Sequence, residues 1–244
     1  MRLLPAIAKR EFFSYFETPT AYVLMTTFLV LSAICGFYPG SFYERNQADL
    51  APFFSCHPWL YLVLMPALAM QQWAQERKSG SIELLLTLPV TCLEVVLGKF
   101  LAAWLIVTIS LLLTFPMVLS VNYLGHPDNA VIACAYLGSW LLAGTCLAIT
   151  SCMSALTRNQ VIAFVLAAAV CLLGIAAGSA AVLDMFKPWA PAEWLDRVAA
   201  MSFLVQFDAI SQGVLDPRNL LYFVAQIVAW LAATALVVDM RKAH

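Results

Sequence analysis

The sequence predicts an all-α polytopic membrane protein with six transmembrane helices, a surface helix at the N-terminus, a short cytoplasmic helix after span two and short external helices before the last span. Three observations predict it. Of 244 residues, 63% are apolar and 11% charged, whereas soluble domains run at about 45–50% and about 25%; this composition excludes a soluble globular enzyme. The charges are clustered and leave six charge-free windows, at 18–43, 50–75, 100–127, 129–157, 159–183 and 219–238. These windows hold 26, 26, 28, 29, 25 and 20 residues, and a helix rising about 1.5 Å per residue needs about 20 to cross the hydrocarbon. They place the spans at about 20–38, 58–75, 98–122, 130–156, 159–183 and 219–239, within a single transmembrane domain covering 1–244. The polar segments are too short for a water-soluble domain, the longest being 184–218.

Residues 3–17 predict a short helix lying in the membrane surface. Leu4, Ala8, Phe12 and Tyr15/Phe16 recur at helical spacing, while Lys9, Arg10 and Glu17 fall elsewhere. Glu11 interrupts the stripe, and the other reading is a frayed basic flank. The charges among residues 1–17 do not fit a cleavable signal, so this segment is expected to be retained. Thr18-Pro19 ends the helix and turns the chain into span one. Pro66 predicts a kink in span two. Turns around Gly125-His126-Pro127-Asp128 and Arg158-Asn159 predict antiparallel neighbours for spans three, four and five. In span five, Gly174 and Gly178 form a GxxxG face suited either to packing within the chain or to contact with another subunit. The segment 184–218 mixes Trp189, Trp194, Phe203 and Phe207 with charges, which predicts short helices dipping into the outer leaflet, or else a surface loop.

Alternate polar segments carry nine and four Lys or Arg residues, and basic flanks stay cytoplasmic, so both termini are expected inside. The net charge of −1 gives no sign of nucleic-acid binding. Seven cysteines without CxxC spacing are expected to behave mostly as small apolar residues. His57, His126 and His244 are far apart and predicted to be interfacial or solvated. Nothing in the sequence has the spacing of a nucleophilic triad, a paired-carboxylate site or a zinc site, so no catalytic, cofactor-binding or metal-ligating residue is expected.

A proton- or sodium-driven carrier generally needs an Asp, Glu, His or Arg within the bilayer. None is expected inside a span; the polar residues there are neutral, such as Gln71, Gln72, Asn122 and Gln226. Energy for uphill transport would then arrive from outside the membrane domain. The segment placed to receive it is cytoplasmic, 76–90, reading Glu76-Arg77-Lys78-Ser79-Gly80-Ser81-Ile82-Glu83-Leu84-Leu85-Leu86-Thr87-Leu88-Pro89. Gly80 or Ser81 can cap a short helix there, Glu83 suits its first turn and Pro89 ends it. Its leucines leave water only against lipid or a partner protein.

This run, followed by Leu97-Gly98-Lys99-Phe100, resembles the coupling segment of type-2 ATP-binding-cassette exporter permeases. Ala8-Lys9-Arg10-Glu11, Ser14-Tyr15-Phe16 and Pro19-Thr20-Ala21-Tyr22 resemble that family's elbow helix entering span one. Phe207-Asp208-Ala209-Ile210-Ser211-Gln212-Gly213-Val214-Leu215-Asp216 with Leu221-Tyr222-Phe223 resembles the gliding-motility-type branch. Ser81 stands where the family usually has Thr.

The resemblance implies a dimeric assembly in the bacterial inner membrane. This chain would pair with a second permease subunit, identical or homologous, and with two copies of a cytoplasmic ABC ATPase. A periplasmic-domain protein is a further partner of the gliding-type branch, and lipid surrounds the spans. ATP and Mg would be bound by the ATPase, since this chain has no Walker lysine loop. Glu76, Gly80, Ser81, Glu83, Leu84 and Leu85, with Glu11 in the elbow, are the residues implied in coupling; a solvated loop is the other reading of each. An exporter permease is the leading reading. The alternative is a scaffold passing ATPase motion to a periplasmic or cell-surface apparatus such as gliding machinery, without moving a substrate.

Overall fold

The structure, a computed structural model, describes residues 4–37, 49–79, 91–186, 194 and 199–240, and every regular element among them is helical. The helices are α1 Leu4–Glu17, α2 Thr20–Phe37, α3 Ala51–Ser55, α4 His57–Ala69, α5 Gln71–Ser79, α6 Cys92–Leu112, α7 Phe115–Leu124, α8 Asn129–Leu156, α9 Gln160–Ala176, α10 Ala180–Phe186, α11 Phe203–Ser211 and α12 Pro217–Met240.

The bundle is organised around α8, which packs against α4, α5, α6, α9, α11 and α12. Small residues make this possible: Gly138, Ser139, Ala143, Gly144 and Ala148 let neighbouring helices approach closely. Asp128 caps the helix by accepting from the Ala130 amide at 2.9 Å. Buried hydroxyls along α8 turn back onto their own helix, as Thr150 Oγ1 does to the Cys146 carbonyl at 2.7 Å.

Among the described residues three helical stretches are long and apolar enough to cross a membrane: Cys92–Leu124, Asn129–Leu156 and Pro217–Met240. The pair Leu4–Glu17 and Thr20–Gly36, bent by 77°, passes as a fourth, and Gln160–Ala176 is apolar but shorter. Two expected spans differ in form. Window 50–75 is divided at Met70 into α4 and α5, one turn after Pro66. The first-turn amides of α5 are rescued from another helix: Ser154 Oγ accepts from Trp73 N and Ala74 N, both at 3.1 Å, and donates to the Met70 carbonyl at 2.8 Å. The third window is divided at Leu113-Thr114, ahead of Pro116, where Thr114 Oγ1 donates to the Leu111 carbonyl at 2.6 Å and bonds the Tyr136 hydroxyl at 2.8 Å. Span five ends early, at Ala176, in a turn through Ala177 and Gly178.

The expectation for His57 is corrected. It opens α4 fully buried, with Nδ1 2.7 Å from Ser139 Oγ, and that hydroxyl also bonds Tyr61 at 2.6 Å. The rings of Phe28, Phe53 and Phe54 enclose it at 4.8–5.6 Å. The short helix α3 folds Phe53 and Phe54 over the imidazole, which takes a flanking residue into the core. His57 is thus a titratable group in the core of the bundle, one residue ahead of the expected span 58–75.

Phe203 and Phe207 likewise pack into the bundle, whereas Trp194 is exposed; Trp189 lies outside the described residues. The face of Gly174 and Gly178 is occupied by this same chain. A Cβ on Gly174 would sit 2.2 Å from the Phe203 ring, and one on Gly178 2.6 Å from Ser202. Ser202 fixes this contact by donating to the Gly174 and Ile175 carbonyls at 3.2 Å while capping α11 through Leu204 N. All seven cysteines are free thiols, and Cys134, Cys146, Cys152 and Cys171 are buried.

Candidate functional site

The feature that joins most elements is an ion triad where α1, α5 and α6 meet. Thr91 starts α6 with a capping box, accepting from Glu94 N at 3.3 Å while Glu94 Oε2 accepts from Thr91 N at 3.3 Å. This start places Lys99 within the helix. The preceding residue, Gly98, supplies the space: a Cβ there would lie 2.7 Å from Ile7 Cγ2, so α1 can rest directly on α6. Ile7, Glu11 and Tyr15 repeat every four residues and share one helical face, so seating Ile7 over Gly98 carries Glu11 to Lys99.

Lys99 Nζ donates to Glu76 Oε1 at 2.7 Å and to Glu11 Oε2 at 3.2 Å, with its side chain only 3% exposed. It also stands 5.4 Å from the centre of the Trp73 ring, within reach of the ring's negative face. Trp73 is anchored in turn by donating Nε1 to Ser151 Oγ of α8 at 3.1 Å. Gln72, one turn before Glu76, donates to the Tyr15 hydroxyl at 3.0 Å and to the Lys99 carbonyl at 3.4 Å. The elbow-like helix, the root of segment 76–90 and the central helix are thus tied at one point.

An isolated ammonium taken out of water is strongly disfavoured, and paired carboxylates are the ordinary remedy. Burial pushes the Glu11 carboxyl up, but Lys99, with the Arg10 guanidinium at 2.7 Å, outweighs it and holds the carboxyl below its ordinary value of 4.5. A lowered carboxylate value contributes stability that is present above 4.5 and is lost as pH falls through the lowered value. Wild type is therefore expected to lose more thermal stability than Glu11→Gln on acidification from about pH 7 to about pH 3. Equal losses in melting scans of the two proteins would contradict the pairing.

Two of the sequence-predicted coupling residues, Glu11 and Glu76, meet through Lys99. Glu76 is not in a separate loop helix: it continues α5, which runs unbroken from Gln71 to Ser79. Gly80, Ser81, Glu83, Leu84 and Leu85 lie outside the described residues. Sequence reasoning missed Lys99, Trp73 and Ser154. One signal for the triad was present: Glu76 and Lys99 border charge-free windows, and Glu11 is the charge that interrupts an apolar stripe. Among the described residues no group of His, Cys, Asp and Glu is arranged to hold a metal ion.

A helical bundle with several helices long and apolar enough to cross a membrane defines a multi-pass membrane protein, and its buried ion triad lies where α1, α5 and α6 meet. Residues 62–241 match the family model described as ABC-2 family transporter protein. The chain belongs to the ABC-2 transporter family, whose members are membrane components of ABC transporters. A search of curated proteins finds no match.

Proposed function

We propose that this chain is the permease subunit of an ATP-driven exporter of the gliding-motility-type branch. It works as one of two permease subunits over two cytoplasmic ATPases, which bind ATP and Mg. Six spans are formed by α2, α4 with α5, α6 with α7, α8, α9 and α12, with both termini cytoplasmic. The elbow is α1, and the coupling segment is 76–90. The observation that supports this reading best is the Lys99 joint: Lys99 links Glu11 of α1 with Glu76 of α5, the helix that leads straight into the leucine-rich segment. Movement of that segment by an ATPase would pull on α5, and the joint would pass the pull to α1 and α6 together. Because Lys99 is buried and bonded to both carboxylates, movement of one helix would be passed to the others through these contacts.

The docking of segment 76–90 tests this. Each fully buried leucine stabilises a contact by about 1.5–3 kcal/mol, so replacing both Leu84 and Leu85 with Ser is expected to weaken ATPase docking by roughly a hundredfold or more. Copurification of the ATPase and its stimulation by the permease should both be lost. Full stimulation and normal assembly in the double variant would remove the support for this segment as the coupling element.

A further inference from the structure

Two of the thiols meet across elements. Cys35 stands near the end of α2, and Cys56 is the residue between α3 and α4; their side chains are in hydrogen-bond contact. The backbone brings them together. Helix α2 packs against both α3 and α4, and at Gly36, next to Cys35, a Cβ would lie 3.3 Å from the Phe53 ring of α3. Phe53 and Phe54 are buried and anchor α3, so the two rings that close over His57 also set the position of Cys56. Both thiols are half-buried, which leaves them open to a reagent. A second contact of this kind joins Cys146 of α8 to Cys171 of α9, but both of those residues are fully buried.

Thiols in contact become a disulfide where the compartment is oxidising and an oxidant has access to them. We propose that Cys35 and Cys56 form a disulfide at the outer ends of spans one and two, made by exchange with a disulfide-bearing protein oxidant outside the membrane. One thiolate attacks the oxidant's S–S bond to give a mixed disulfide, and the other displaces it. One S–S bond forms and one breaks; the two electrons and the two protons pass to the oxidant, which leaves as a dithiol. The sulfurs close to about 2.05 Å. The inference rests on the proposed topology in one respect: with the N-terminus cytoplasmic, the end of α2 and the start of α4 face outward. Burial, then the neighbouring Cys35 thiol, push the Cys56 thiol up to about 11. A thiolate so disfavoured gives the reduced form no extra stability, which suits a lasting bond rather than an exchanging one. The bond would fix the outer ends of α2 and α4 to each other. Cys146 and Cys171, shut inside the bundle, stay reduced.

The test is a peptide map of the full chain from cells quenched in acid and alkylated with N-ethylmaleimide in denaturant. Trypsin cuts after Arg10, Arg45 and Arg77, so Cys35 and Cys56 fall on separate peptides, 11–45 and 46–77, with no other cysteine on either. The expected result is the two peptides joined, two hydrogens lighter than their sum and separated by reductant, with Cys146 and Cys171 alkylated in the same sample. Cys35 and Cys56 both alkylated would overturn the proposal, and so would equal linkage of both cysteine pairs, which marks oxidation during handling. In the purified chain, reductant should lower the melting temperature by about 5–10 °C, the effect of opening a disulfide loop of this size. Cys35→Ser should melt as the reduced wild type does and no longer respond to reductant; a response equal to that of wild type would overturn the bond. Sidedness is read separately, by a membrane-impermeant maleimide added to spheroplasts carrying Asn46→Cys with Cys35→Ser and Cys56→Ser. Labelling of residue 46 from outside, with Cys35 and Cys56 of wild type found alkylated, overturns the disulfide and leaves the permease topology standing. Labelling only after lysis overturns the topology, and with it the compartment this bond requires.

Discussion

Lys99→Met is expected to destabilise the protein by about 3–5 kcal/mol, the range found when one member of a buried ion pair is removed. The substitution keeps chain length and apolar volume, so packing against Trp73 and the α1–α6 contact is largely preserved. What changes is the charge: Glu76 Oε1 at 2.7 Å and Glu11 Oε2 at 3.2 Å lose their shared cation and face each other across an apolar side chain. Glu11 retains Arg10, which is 61% exposed and screened by solvent, so it offsets little of the loss. Detergent melting curves should show the destabilisation, and limited proteolysis should cut α1 sooner than in wild type. A Lys99→Met protein as stable as wild type would mean that the triad contributes nothing to docking.

The second large effect is expected at Ser154→Ala, about 2–4 kcal/mol. The first four amides of any helix lack intrahelical partners, and in α5 two of them, on the fully buried Trp73 and Ala74, are served by one hydroxyl of α8. Removing it strands two donors and deprives the Met70 carbonyl of a bond, and each stranded buried group is disfavoured by about 1–3 kcal/mol. Ser154→Thr, which keeps the hydroxyl, should recover part of the loss. Hydrogen exchange locates the effect: protection should fall at Trp73 and Ala74 in Ser154→Ala and stay unchanged in α9. Uniform loss of protection, or none, would contradict a local role.

The contrast between these residues and the rest of the bundle shows what a single sequence can convey. Helices α2, α6, α8, α9 and α12 follow from the charge-free windows, because apolar length is a local property and the membrane demands it. Pro66 marked the neighbourhood of the α4–α5 break, which falls four residues later, at Met70. The break before Pro116 had the same signal and went unread. Partners far apart in the chain were not legible. Lys99 is 88 residues from Glu11, and on its own it is indistinguishable from a positive-inside flank. Ser154 looks like one small residue among many in α8; its function exists only because Met70 breaks a helix 84 positions away. His57 passes for an interfacial residue until Phe53 and Phe54 close over it. Gly174 and Gly178 announced a close approach but not its occupant, which is Phe203 and Ser202 of the same chain.

In the proposed function the Glu11–Lys99–Glu76 joint carries motion and does not merely hold helices together. Neutralising all three residues separates the two roles, because replacing a whole buried ion group often leaves stability unchanged or higher, unlike removing one partner. The measurement is permease-stimulated ATP hydrolysis by the reconstituted complex carrying Glu11→Gln, Glu76→Gln and Lys99→Met together, beside its melting temperature. The expected result is a melting temperature near that of wild type, intact assembly with the ATPase, and stimulation reduced to the unstimulated rate. A stable, assembled triple variant that stimulates the ATPase as well as wild type would contradict it.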